Sequence, residues 1–253
     1  MNFGDTGGWS MAAFLLAALA SARAQPPGGA AHSSETVAAH IDHVILGIGD
    51  LEQGIRAFTA ATGVTPQRGG EHPGRGTSNA LVSLGAGRYL EIIAPAGSGS
   101  GKGQAPVAPG GGTGLNTLQA LTPVGWAIGT GDLDGLMARF ARSGFNLSGP
   151  TPGSRRRPDG LLLKWRTAQL GEPGIPLAPF FIEWSPETPH PSVTSPPGCE
   201  LVGIELSAPV PEKLDQLLRA AGVAVRPKPA TEPRMVLTLD CPRGRVTFDS
   251  RGR

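Results

Sequence analysis

Cysteine is nearly absent from this chain of 253 residues: Cys199 and Cys241 are the only two. A structural metal site built on them would need more ligands close by, so that class is set aside. Two alternatives remain, one disulfide if the chain is exported or two small buried residues, and the second is the default expectation. Charge is also scarce. Only 17% of residues are charged, the net charge is +2, and the arginines are scattered apart from the run Arg155, Arg156 and Arg157. No basic stripe for nucleic acid is present. Long apolar runs are missing too. The segment "MAAFLLAALA", residues 11 to 20, is too short to span a bilayer, so no stable membrane span is expected.

That segment has the length of a signal-peptide core and is followed by "SARAQ", where Ala22 and Ala24 form an A-x-A cleavage site before Gln25. Against this, the first ten residues carry Asp5 and no Lys or Arg. Residues 1 to 34 are therefore read either as an export leader, which places the protein in the periplasm or outside the cell, or as a disordered extension of a cytoplasmic protein. What the chain does have in quantity is 38 Gly and 25 Pro, which implies many turns and short elements. The length suits one large domain or two or three small modules, and the expected class is strand-rich α+β.

The chain repeats itself. "HIDHVILGIGDLEQGIRAFTAATGV" slides onto "VGWAIGTGDLDGLMARFARSGF" at a constant offset, pairing Gly47 with Gly129, Gly49 with Gly131, Asp50 with Asp132, Leu51 with Leu133 and Phe58 with Phe140. A fainter third copy, "LVGIELSAPVPEKLDQLLRAAGV", keeps the apolar strand, a helix with Leu214, Leu217 and Leu218, and a terminal Gly222 that answers Gly144 and Gly63. Each copy reads as a strand, a turn, an amphipathic helix stopped by glycine, and three further strands. The modules are placed at 35–96 and 117–195, with a third, abbreviated one at 196–253. Residues 97–116 form a Gly/Pro-rich linker or lid. Its "GSGSGK" is not a phosphate loop, because the glycine spacing is wrong and Gly103 stands where Ser or Thr is required.

Within "RYLEIIAP" a strand reading sets Glu91 among oily neighbours. Burying an unpaired carboxylate costs several kcal/mol, so it should be paired, protonated or bound to a metal. Arg75, Arg88 and Arg155 to Arg157 are the available cations. In "IDHVIL", alternation puts Ile41, His43 and Ile45 on one face and Asp42, Val44 and Leu46 on the other. If the first and fourth strands of a module are neighbours, about 4.7 to 4.9 Å apart, His43 and Glu91 can share an ion. The second module offers "FFIEW", where Glu183 is matched to Glu91. A pseudo-twofold pairing of the sheets would bring both carboxylates and His43 to one centre.

With "DHVILGIGDLEQGIRAF", "EHPGRGTSNALVSLG", "YLEIIAP", "RRRPDGLLLKW" and "PFFIEW" in this order, the chain resembles the vicinal oxygen chelate superfamily and its glyoxalase-like branch over most of residues 41 to 184. The resemblance implies paired βαβββ modules whose curved mixed sheets enclose a pocket, plus the partial third module. It also implies a divalent ion held from the first and fourth strands of each module. Carried across, those positions are His43 and Glu91, then Gly125 and Glu183. Gly125 has no side chain and cannot be a ligand. His43, Glu91 and Glu183 plus water would suffice, with His72 or His190 as a fourth donor. Such a set suits Zn, Mn, Fe, Co or Ni without choosing among them.

Around this centre Thr77 and Asn79 are candidates to fix a substrate carbonyl or hydroxyl, and His72 joins them. The run ending in Arg157 could clamp an anion, and Trp165 and Trp184 could line an apolar pocket. Each has a plainer reading, as turn, solvated loop or core. The expected activity is metal-dependent lyase or isomerase chemistry on a small oxygenated substrate, with Glu91 or Glu183 moving a proton. Extradiol ring cleavage is disfavoured because its second histidine is missing. The rival is a non-catalytic module that sequesters a small molecule, a reading that Gly125 favours. The third module could cover a sheet edge or form the contact of a homodimer.

Overall fold

The computed structural model describes residues 39–72, 75–85, 87–97, 114–171 and 174–251. The expected leader and most of the expected linker lie outside them. The first module runs β1 (His40–Gly47), α1 (Leu51–Thr62), β2 (Gln67–His72), β3 (Thr77–Ser83) and β4 (Tyr89–Pro95). The second runs β5 (Thr122–Gly129), α2 (Leu133–Arg142), β6 (Leu147–Arg156), β7 (Leu162–Leu170) and β8 (Phe180–Trp184). The matched "GD" pairs start both helices. Asp50 and Asp132 are N-caps whose carboxylates accept from Gln53 N at 2.7 Å and Gly135 N at 2.8 Å. Gly63 ends α1 in the left-handed region, where a side chain would be strained.

All eight strands belong to one sheet, in the order β2-β3-β4-β1-β5-β8-β7-β6. The order is symmetric about its centre. β1 and β5 pair antiparallel, and each runs parallel to the last strand of its own module, β1 with β4 and β5 with β8. The result is a mixed α+β fold with a curled, half-barrel sheet. Alternation sorts the side chains into two layers. Val44, Leu46, Leu90, Ile92, Trp126 and Phe181 pack on the helix side with Phe58 and Phe140. Ile45, Ile93, Ala127, Phe180 and Ile182 line the other face, with Trp165 and Trp184 against them. Burying each large apolar group contributes about 1.5–3 kcal/mol, which makes this register hard to shift.

The third module, β9 (Glu200–Ala208), α4 (Pro211–Ala221), β10 (Lys228–Pro229), β11 (Arg234–Cys241) and β12 (Gly244–Asp249), keeps the element order and changes the pairing. Its sheet is ordered β10-β9-β11-β12, so the first strand lies beside the third-position strand and not beside the last. Its apolar side chains, Leu206, Leu214 and Leu237 among them, join the helix-side core, and residues 36–253 make one compact unit. Among the described residues no helix is long and apolar enough to cross a membrane.

The two cysteines depart from the default expectation, for Cys199 and Cys241 form a disulfide. The β9–β11 register is the reason. Glu200 pairs with Asp240, so the next residue outward on each strand is a cysteine, and the ladder's end brings the two thiols together. The bond closes a loop with a sequence separation of 42. The Cys199→Ser, Cys241→Ser protein is expected to lose about 2–4 kcal/mol of unfolding free energy. Urea denaturation with and without reductant measures this, and coincident curves for the oxidised and the double-serine protein would contradict it.

Candidate functional site

The parallel β1–β4 ladder sets Ile45 opposite Glu91 and His43 opposite Tyr89. His43, Ile45, Tyr89, Glu91 and Ile93 all face a small cavity, about 60 Å³, in the concave side of the sheet. Glu91 is 7% exposed. Its Oε1 accepts a 2.6 Å hydrogen bond from Asn79 Nδ2 and lies 3.6 Å from His72 Nε2, while its Oε2 faces His43 Nε2 at 3.8 Å. Behind it, Asn79 Oδ1 accepts from Arg155 Nη1 at 3.0 Å. A guanidinium only donates and a carboxylate only accepts, so the two neighbours fix the orientation of the amide between them. Burial pushes the Glu91 carboxyl up. His72, His43, the Asn79 bond and Arg155 together outweigh it and hold the group below the usual carboxylate range.

Four strands from the first module and one from the second supply this arrangement. Thr77 and Asn79 stand on β3 beside β4, and His72 on β2 hydrogen-bonds Thr77 Oγ1 through Nδ1 at 2.9 Å. Burial lowers the His72 pKa; the pull of Glu91 opposes this and Arg155 and Arg75 add to it. Arg155 crosses from β6 in the second module. Its path over β2 is open only because position 69 is glycine, where a Cβ would collide with Arg155 Nη1 and with Asn79 Oδ1. A bulge between Arg68 and Gly70 marks the same spot.

Asp42 was expected on the face opposite His43. A register shift between Ile41 and His43 in the β1–β5 ladder breaks the alternation there. Asp42 is buried, and its Oδ1 lies 2.6 Å from His43 Nδ1. Its Oδ2 meets His190 Nε2 at 3.0 Å and accepts from Trp184 Nε1 at 3.2 Å. Burial would raise its pKa, but the bonds to His190 and His43 and the charges of both rings hold it well below the usual carboxylate range. With its Nδ1 side tied to Asp42, His43 turns Nε2 toward Glu91, and its ring stacks on Tyr89 at 4.4 Å between centroids.

Glu183 does not join His43 and Glu91. It lies on the helix side of β8, where Arg166 Nε donates to Oε2 at 2.7 Å and Leu133 N, at the start of α2, donates to Oε1 at 3.3 Å. The parallel ladders explain the error. Gly129 pairs with Ile182 as Gly47 pairs with Ile93, so the counterpart of Glu91 is Phe180 and that of Glu183 is Ala94. Arg157 is also misplaced as an anion clamp. It pairs with Asp159 at 3.0 Å at the β6–β7 turn and stays out of the cavity, and Arg155 lines it instead. His72, Thr77, Asn79, Trp165 and Trp184 all reach the cavity wall. His190, an expected fourth ligand, is engaged with Asp42.

The donor chemistry can be compared with a divalent ion held from the first and fourth strands. Those positions are His43, Glu91, Gly125 and Phe180 in the observed register, and the last two offer no donor atom. Among the described residues no set of three His, Cys, Asp or Glu has the arrangement of a metal site. The positive charge near Glu91 comes from Arg155, through Asn79. The expected ligand set does not assemble. Asp42 was missed as a site residue, and within the arginine run Arg157 was singled out where Arg155 is the member that lines the cavity. Asp42 carried a readable signal, a lone charge in an apolar strand like that of Glu91.

A family model described as a glyoxalase-like domain matches residues 41–222. A hypothetical protein from Staphylococcus aureus shares the fold with TM-score 0.56 at 13% identity, over 83% of this chain and 85% of its own. Methylmalonyl-CoA epimerase from Mycobacterium tuberculosis aligns at 16% identity over 58% of this chain and 89% of its own, with TM-score 0.38. A methylmalonyl-CoA epimerase in complex with methylmalonyl-CoA and NH4+ aligns at 17% identity over 60% and 98%, with TM-score 0.40. No curated protein matches the chain. At these identities the likeness is one of fold alone.

Proposed function

Because the chain belongs to the glyoxalase-like domain family, we propose that its cavity takes a small oxygenated molecule and that Glu91, with His43, moves a proton on it. The observation that carries this reading is the placing of Glu91, a nearly dry carboxylate at a cavity wall with an imidazole facing each oxygen. Such a group is a base without its water shell. Glu91 Oε2 takes the proton from a carbon beside the substrate carbonyl, and the C–H electron pair moves into the carbonyl to give an enolate. Return of the proton to a different carbon or face completes an isomerisation, and departure of a group from the adjacent carbon completes a lyase reaction. His43, oriented by Asp42, stands next to Oε2 to exchange the proton.

The test is proton exchange in deuterium oxide, followed by NMR on pyruvate, dihydroxyacetone and glyceraldehyde. The expected result is exchange at the carbon beside the carbonyl well above the buffer rate for at least one of them. Binding without exchange would overturn the reaction and favour the rival reading, a module that sequesters its ligand.

A second reading keeps a divalent ion. Its support is that both oxygens of Glu91 face imidazoles; His43, His72 and Glu91, which do not stand as a metal site among the described residues, would have to draw together to hold the ion. A bound ion would polarise a substrate oxygen. Metal analysis after equilibration with Zn or Mn tests it, and content far below one ion per chain would remove it. The disulfide supports export to an oxidising compartment, which N-terminal sequencing of cell-purified protein would check against Gln25.

A further inference from the structure

We propose that the molecule taken by this cavity carries a carboxylate and that Arg155 recognises it; the inference rests on reading the cavity as a small-molecule site. Arg155 is 3% exposed yet lines the cavity. Its Nη1 is engaged by Asn79, and its Nε is buried with no hydrogen-bond partner. Among the described residues no carboxylate lies within ion-pair distance of it, in contrast to Arg166, which is bound by Glu183 and Asp134. A buried guanidinium without a direct counter-ion is costly, and a fork of N–H donors at a cavity wall is shaped for two carboxylate oxygens.

The charge of the lining points the same way. Glu91 is its one carboxylate, against the two guanidiniums of Arg75 and Arg155, so the wall carries one positive charge in excess when its histidines are neutral. The cavity also has an apolar part, to which Ile45 and Ile93 contribute. Phe180, Ile182, Trp165 and Trp184 face the charged wall. The ligand class is therefore a small organic monoacid with an apolar body, its carboxylate at Arg155 and its reacting carbon toward Glu91. A neutral sugar or an extended dianion suits this wall less well.

Isothermal titration of the full chain at fixed ionic strength, with pyruvate and benzoate against pyruvamide and benzamide, tests the assignment. The acid is expected to bind about tenfold or more tightly than its amide. Arg155→Gln should abolish that preference, Arg155→Lys should keep only part of it, and Arg219→Gln, on the exposed face of α4, should keep all of it. Equal affinity of acid and amide in the unaltered protein, including no detectable binding of either, overturns the proposal. So does an acid preference that survives Arg155→Gln. Should the glutamine variant not fold, Arg155→Lys decides alone, and an undiminished preference there is the overturning result. An intact acid preference without proton exchange would defeat the reaction and leave Arg155 in its role; exchange without acid preference would do the reverse.

Discussion

Exchanging Glu91 for glutamine lowers the rate of proton exchange on a bound carbonyl compound by about 10²- to 10⁴-fold, the range of a positioned general base. The substitution nearly conserves volume and retains an oxygen to accept the Asn79 bond, so the cavity keeps its shape. What disappears is the basic lone pair and the negative charge. Arg155 then loses the nearest charge that offsets it, so a modest fall in melting temperature accompanies the loss of rate. The rate constant should fall while ligand affinity changes far less, because the carboxylate is needed chiefly in the transition state. His43→Gln should lower the rate as well. A rate within threefold of the unaltered protein for Glu91→Gln would remove the carboxylate from the reaction.

Asp42→Ala is the costliest stability change foreseen, at about 3–5 kcal/mol, because it orphans buried partners of a charge. The ring nitrogens His43 Nδ1 and His190 Nε2 and the indole N–H of Trp184 all lose the acceptor they share. Urea unfolding at neutral pH measures the loss, and a value below about 1 kcal/mol would mean that these groups find other partners. The pH dependence has a definite sign. The folded Asp42 carboxyl is held below its ordinary value, so its contribution is complete above the unfolded pKa, near 3.9, and is lost as the pH falls from there through the folded value. The gap in stability between the unaltered protein and Asp42→Ala should therefore narrow as the pH falls below about 4.

The duplicated architecture was readable because each module repeats its local signals: an Asp cap, an apolar helix face and a glycine stop. The first-module residues were readable for a similar reason. His43 and Glu91 interrupt apolar strands, and His72, Thr77 and Asn79 cluster in one short motif. Glu183 misled because "YLEII" and "FFIEW" were matched on their acidic residue, whereas the ladders match them on the strand ends beside Gly47 and Gly129. An error of three positions reverses the face of a strand. The bulge where β1 meets β5 hid the direction of Asp42, although its charge within an apolar strand was legible. The arginine run showed which cluster mattered, but only the pairing of β6 with β7 decides that Arg155 turns inward while Arg157 reaches the turn. The disulfide was ambiguous because its cysteines are brought together by strand register over a long separation.

The passage of Arg155 over Gly69 ties both modules to one cavity. The first module holds His43 and Glu91, and the second has Gly125 and Phe180 at the corresponding places but extends a cation across into the first. The two modules thus bring different groups to it, and a first module expressed by itself would hold the carboxylate proposed as base while lacking the guanidinium proposed to receive the ligand's anion.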